Sequence, residues 1–352
     1  MWTAKSGWKE SGTAMFPWQA NTVRRASRAC QTALALAVVL ACAGWLLAQQ
    51  TPIFRADVNL VRVIATVKTP SGAIVGSLGK DDFEVFDNGV KQEIVHFQRQ
   101  SDQPLSVALM VDVSGSTASD LGYEVDSASK FLRALLADAN PEDNAALYSF
   151  DYQVRQEHGF THNYTSLNLA LKKLHGTAGT SLYDAICLVS KDLELRQGRK
   201  VMIVLSDGGE TTSHFKSEDS LQAAQLADAV IYSVVVLPIA SDAGRNRGGE
   251  AFLSYIARGT GGRPFFPQPN AQLDKAFSEI VAELRTEYFL GYYPHDVPLT
   301  KDKWHKLEVR EKSGKLQVFA RNGYYGESDS GSAGPSDPNN SVNADVRTKK
   351  KR

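Results

Sequence analysis

Between residues 105 and 285 the chain alternates continuous apolar runs with stretches of helical periodicity, a pattern that few architectures accommodate. Residues 105–111, 145–150, 201–205 and 230–237 read as strands. The runs 105–111 and 201–205 have no polar face, so strands made from them must be covered on both sides. The segments 123–137, 166–174, 182–195, 221–228, 251–258 and 271–285 place apolar residues at helical spacing. The helix over 251–258 is expected to end at Gly259. Apolar strands separated by amphipathic helices predict a parallel sheet with helices on both faces, a doubly wound α/β domain over 102–285.

The flanks have a different period. Val61, Val63, Ala65 and Val67 alternate with other residues, as in a half-buried strand. Pro70-Ser71-Gly72 is a turn, and strands at 83–86 and 93–97 flank the hairpin signal Asp87-Asn88-Gly89. Beyond Glu287 the β pattern returns at 288–293, 306–309 and 316–320, with a turn at Lys312-Ser313-Gly314-Lys315. Neither flank is long enough for a comfortable core of its own. The expectation is one β-sandwich built from 54–100 and 286–326 together, with the α/β domain inserted between them. Residues 327–352 are rich in Ser, Gly, Pro, Asn and Asp and are expected to be disordered.

The first 50 residues read as an address. Arg24, Arg25 and Arg28 precede an apolar run from Ala33 to Ala48. A basic flank before a short apolar stretch is the layout of a secretory signal or a membrane anchor. Met15 is an alternative start, and Val39-Leu40-Ala41-Cys42 loosely resembles a lipoprotein box. In each reading the rest of the chain lies outside the cytoplasm, periplasmic or extracellular. Of three cysteines only Cys187 lies beyond this segment, so an intrachain disulfide is not expected. A formal net charge of zero argues against a nucleic-acid partner held by long-range electrostatics.

The chemistry gathers at one edge of the predicted sheet. The strand 105–111 runs into Asp112-Val113-Ser114-Gly115-Ser116, and 201–205 runs into Ser206-Asp207-Gly208-Gly209. Sites in open α/β sheets form beyond the carboxyl ends of strands. Gly179-Thr180-Ser181 opens the helix at 182 and brings a third loop. Carboxylates and hydroxyls are hard oxygen donors that suit magnesium, manganese or calcium. Taken singly, each of these residues is an ordinary cap or turn residue.

Asp-x-Ser-x-Ser, a loop threonine and Ser-Asp-Gly, in that order, resemble the metal-ion-dependent adhesion site of von Willebrand factor A domains. That resemblance covers about 105–284. It implies a Rossmann-like domain that holds a divalent cation, with magnesium the first choice, through Asp112, Ser114, Ser116, Thr180 and Asp207. It also implies an open coordination position for an acidic side chain of a protein partner. The flanks, with Asp82-Phe83-Glu84-Val85, Tyr288-Phe289-Leu290-Gly291-Tyr292-Tyr293-Pro294 and Ala320-Arg321-Asn322-Gly323-Tyr324, resemble the bacterial "VWFA-related" family first described from Acidobacteria. The implied function is metal-dependent protein binding at the cell envelope, without catalysis.

Two rivals predict something else. A structural envelope scaffold would make metal-independent contacts. A hydrolase would need a base beside a nucleophile. Position 114 is serine where an aspartyl phosphatase needs a second carboxylate, and His158, His162 and His214 fall in no recognisable triad.

Overall fold

The computed structural model describes residues 60–99, 103–115, 117, 121–137, 140–236, 246–267, 272–297 and 303–326. The N-terminal apolar run, Ser116 and the tail from 327 lie outside these residues. Among the described residues no helix is long and apolar enough to cross a membrane.

The α/β domain is built on a six-stranded sheet. Its strands are β5 (Leu105–Asp112), β6 (Asn144–Phe150), β7 (Val154–Thr161), β8 (Arg199–Ser206), β9 (Ala229–Val235) and β10 (Pro264–Phe265), in the order β10-β9-β8-β5-β6-β7. All neighbours are parallel except β6 and β7. Every residue of β5 is buried, as its apolar run requires. Leu105, Val107, Leu109 and Val111 face one core, and Ala108 and Met110 face the other. Helices α1 (Leu121–Leu136), α2 (Tyr164–Leu171) and α6 (Leu273–Leu284) cover the first face. There Phe131 of α1 stacks on Phe277 of α6 at 4.9 Å. Helices α3 (Leu182–Glu194), α4 (Ser217–Leu226) and α5 (Arg247–Thr260) cover the second. This is the doubly wound arrangement that the sequence predicts.

Helix α5 runs past Gly259, contrary to expectation. It stops at Gly261, whose φ of 91° is the left-handed conformation that ends helices at little cost to glycine. Strand β7 is an edge strand of mixed exposure with no apolar period, and nothing in its sequence marks it out.

The flanking strands form two four-stranded sheets. Strands β1 (Val61–Lys68), β2 (Phe83–Asp87), β3 (Val90–Gln92) and β4 (His96–Arg99) precede the α/β domain. Strands β11 (Tyr288–Tyr292), β12 (Trp304–Glu311), β13 (Gln317–Ala320) and β14 (Gly323–Tyr325) follow it. The sheet orders are β13-β1-β11-β4 and β14-β12-β2-β3, so both sheets mix strands from the two ends. Val63, Val67, Val85, Leu290 and Leu307 belong to one shared core. The hairpin differs from expectation in one respect. Asn88 and Gly89 both have positive φ, the signature of a two-residue turn, so the return strand begins at Val90. Residues 93–95 then cross to the other sheet, where β4 pairs with β11.

The outer face of β1 turns toward the α/β domain. Lys68, buried there, pairs with Glu283 at the end of α6 at 2.6 Å. Only three residues separate α6 from β11, and among them Glu287 is buried against Arg199 and accepts from Tyr232. The insertion is therefore tied to the sandwich through buried ion pairs as well as through its chain ends.

Candidate metal centre

Asp112 is the last residue of β5 and has no exposed surface. Its Oδ1 accepts the Ser114 amide at 2.9 Å, and its Oδ2 accepts the Ser206 hydroxyl at 2.6 Å. Ser206 in turn accepts the Gly208 amide at 2.9 Å. That hydroxyl joins the loop after β5 to the loop after β8. The Thr117 hydroxyl closes the first loop by donating to the carbonyls of Asp112 and Ser114 at 2.9 and 3.1 Å.

Asp207 begins the second loop and accepts the Gly209 amide through Oδ1 at 2.7 Å. Gly208 adopts a φ of 81° and packs flush on the start of α5; a Cβ there would lie 2.4 Å from the Gly249 carbonyl carbon. The third loop carries Thr180, which is 5% exposed. The Thr180 amide donates to the Thr211 hydroxyl at 2.9 Å, and its carbonyl accepts the amides of Thr211 and Thr212 at 2.9 and 3.1 Å. A Cβ on Gly209 would lie 3.0 Å from Asp207 Oδ1 and 3.6 Å from Thr180 Oγ1, so both side chains converge on one glycine.

Asp112, Ser114, Thr180 and Asp207 are thus brought together from three loops at the carboxyl edge of the sheet. Ser116 lies outside the described residues. Thr180 does not cap its helix; Ser181 is the N-cap residue, and the first α3 amides are taken by Ser213 Oγ and Glu210. The Thr180 hydroxyl has no hydrogen-bond partner among the described residues.

Two supports escape a reading of the sequence. One is Ser206, which the sequence shows as the first residue of Ser-Asp-Gly but not as the hydroxyl that holds Asp112. The other is Gly176, where a Cβ would lie 1.6 Å from the Val113 carbonyl oxygen. Only a glycine lets the Thr180 loop cross the Asp112 loop so closely. Asp151, at the turn after β6, fastens the same loop from behind. Its Oδ2 accepts the Thr177 amide and hydroxyl at 3.2 and 3.1 Å, and its carbonyl accepts the Ser181 amide at 2.7 Å.

Electrostatically the site suits a cation. Neither Asp112 nor Asp207 pairs with Lys, Arg or His among the described residues. Burial pushes the Asp112 carboxyl up to about 6 against the hydrogen bonds from Ser206 and Ser114, and the Asp207 charge adds to the rise. Two carboxylates and a set of hydroxyls, with no ion-pair partner for either carboxylate among the described residues, are hard-oxygen donors of the kind that suit a divalent ion. Among the described residues no three His, Cys, Asp or Glu side chains come together as a metal-ligand group; the candidate centre itself offers two carboxylates and otherwise hydroxyls. Cys187, half-buried on α3, has its thiol pushed up to about 11, chiefly by burial. His158, His162 and His214 bond to the Gly159 carbonyl, the Asp143 carbonyl and Asp184, and none reaches a site serine.

Residues 107–210 match the family model of the von Willebrand factor type A domain, so the chain carries that domain. The match concerns the domain; the likeness to bacterial "VWFA-related" proteins remains a resemblance of the flanks. Similar solved structures include the conserved hypothetical protein BatB of Bacteroides thetaiotaomicron, with 19% identity over 51% of this chain and 97% of that one and a TM-score of 0.41. The vWF domain of the type V pili tip protein Mfa5 of Porphyromonas gingivalis has 15% identity, covering 51% and 94%, with a TM-score of 0.43. A von Willebrand factor type A protein of Catenulispora acidiphila has 12% identity, covering 68% and 73%, with a TM-score of 0.44. The search of curated proteins returned no match.

Proposed function

We propose that this von Willebrand factor type A domain is a metal-dependent protein-binding module of the bacterial cell envelope. In this reading Asp112, Ser114, Ser116, Thr180 and Asp207 hold a divalent cation, magnesium first and manganese or calcium as alternatives. When bound, such a cation would supply a Lewis-acidic point for an acidic side chain of the partner. The observation that supports the reading is that Asp207 and Thr180 converge on Gly209 while Ser206 ties Asp112 to the same loop, with neither carboxylate ion-paired and the Thr180 hydroxyl unbonded among the described residues. The chain's own contribution is rigidity. Ser206 orients the Asp112 carboxylate, Thr211 fixes the Thr180 backbone, and Gly176 and Gly208 let the loops close. Nothing in this arrangement requires a chemical step, so the proposed role is binding and not catalysis. The envelope location rests on the basic and apolar N-terminal segment.

The test uses the full chain, immobilised and exposed to envelope proteins with magnesium or with chelator. Bound proteins are expected to release on chelation and to be absent from an Asp112→Ala variant whose circular dichroism is unchanged. The same proteins retained by Asp112→Ala in chelator would overturn the reading in favour of a metal-independent scaffold.

A further inference from the structure

A cleft lies at the opposite edge of the six-stranded sheet, where the sandwich meets the starts of β8 and β9. It is open to solvent, and its empty space, with the solvent at its mouth counted in, is about 390 Å³. Arg62 and Ile64 of β1 form one wall, and Lys200 of β8 with Asp228 and Val230 forms the other. It continues along Arg62 to Arg321 and Thr260. The cleft is roughly 20 Å along β8 from Asp207, so it is not part of the metal centre.

Its charges are unequal. Asp228 is taken by Arg321 at 2.6 Å, and Glu287 is taken by Arg199. That leaves Arg62 and Lys200, which make no ion pair among the described residues. Among the described residues Lys200 Nζ donates to the Glu194 carbonyl, at 3.1 Å. Burial holds its ammonium below the usual range, and the Arg62 charge lowers it further against the pull of Asp228 and Glu194. Two residues of like charge thus line one cleft, near enough for the Arg62 charge to act on Lys200. Arg62 is not held there by sandwich packing, because it is the exposed residue of β1 between Val61 and Val63, which fill the core.

We propose that this cleft is a binding site for a phosphate-type oxyanion, held between the Arg62 guanidinium and the Lys200 ammonium. The planar fork of arginine accepts two oxygens of a tetrahedral anion, and the lysine supplies a point charge opposite. A dianion offsets both cations at once, which a monocarboxylate does not. The free anion and a phosphomonoester headgroup of a lipid share this chemistry.

The experiment titrates the full chain with inorganic phosphate by calorimetry, in chelator so that no ion at the metal centre takes part. Saturable one-to-one binding is expected, weakened at least tenfold by Arg62→Gln and by Lys200→Gln and unchanged by Lys312→Gln on the remote hairpin. Acetate at the same concentrations is expected not to saturate. In a second arm, vesicles containing phosphatidic acid that retain the wild type and release both variants would assign the site to a lipid headgroup; retention of neither, with phosphate still bound, would assign it to the free anion. Absence of saturable phosphate binding, equal binding of acetate, or phosphate binding indifferent to both variants would overturn the proposal.

Discussion

Gly176→Ala is expected to destabilise the protein by at least about 1–3 kcal/mol and to spoil the metal centre together with the fold. The reason is space alone. The new Cβ would sit 1.6 Å from the Val113 carbonyl oxygen and 2.5 Å from its carbon, and these are backbone atoms that no rotamer change can move. The Thr180 loop must lift away from the Asp112 loop, carrying its hydroxyl from the point where the carboxylates meet. Gly115→Ala is the matched control, because it lies in the Asp112 loop itself yet a Cβ there meets nothing within 4 Å. Denaturant midpoints of both variants decide the matter. A Gly176→Ala protein as stable as Gly115→Ala would mean that the close crossing of the two loops is not a feature of the folded chain.

Asp87→Ala, in the sandwich, is expected to cost about 3–5 kcal/mol. Asp87 has no exposed surface and sits at the end of β2, inside the sandwich. Its Oδ2 accepts the hydroxyls of Tyr292 and Tyr324 at 2.8 and 2.7 Å, and its Oδ1 accepts His305 Nδ1 at 3.0 Å. These donors come from β11, β14 and β12, so one carboxylate joins both sheets and both ends of the chain. Removing it strands three buried donors at once, each costing about 1–3 kcal/mol when left unmade. Burial and the Asp87 charge hold both tyrosine hydroxyls well above their usual range, so they stay donors at any working pH. Because the sandwich is built from both flanks, near-ultraviolet circular dichroism of its tyrosines and far-ultraviolet signal should fall in one transition at lower denaturant. An unshifted midpoint would show that the three donors find other acceptors.

How far the sequence reaches can be seen residue by residue. The central strands were legible because β5 and β8 carry apolar runs, broken only by Ser106 over 105–111 and unbroken over 201–205, and a strand without a polar face has few places to go. Asp112 and Asp207 were legible because each directly follows such a strand. Strand β7 was not, since an edge strand with Arg155, Glu157 and His158 on it carries no period. The hairpin return was misplaced by three residues because its register depends on backbone φ at Asn88 and Gly89, and the apolar residues further on suggested a later start. The supporting roles of Ser206 and Gly176 were hidden for another reason. A serine at a strand end becomes informative only when the carboxylate it faces is known, and a glycine's close neighbour lies far away in sequence. The Lys68–Glu283 pair shares that limit, because it joins β1 to α6 across the inserted domain.

The central claim, a divalent ion between Asp112, Thr180 and Asp207, is tested most directly by thermal unfolding of the full chain in chelator and then in magnesium, manganese or calcium. A cation that binds only the folded state adds about 2.7 kcal/mol at a hundredfold excess over its Kd. The account predicts a rise in Tm with at least one of these ions at millimolar concentration, and loss of that rise in Asp207→Ala. Identical melting curves in chelator and in all three ions, or a rise that survives in Asp207→Ala, would contradict it.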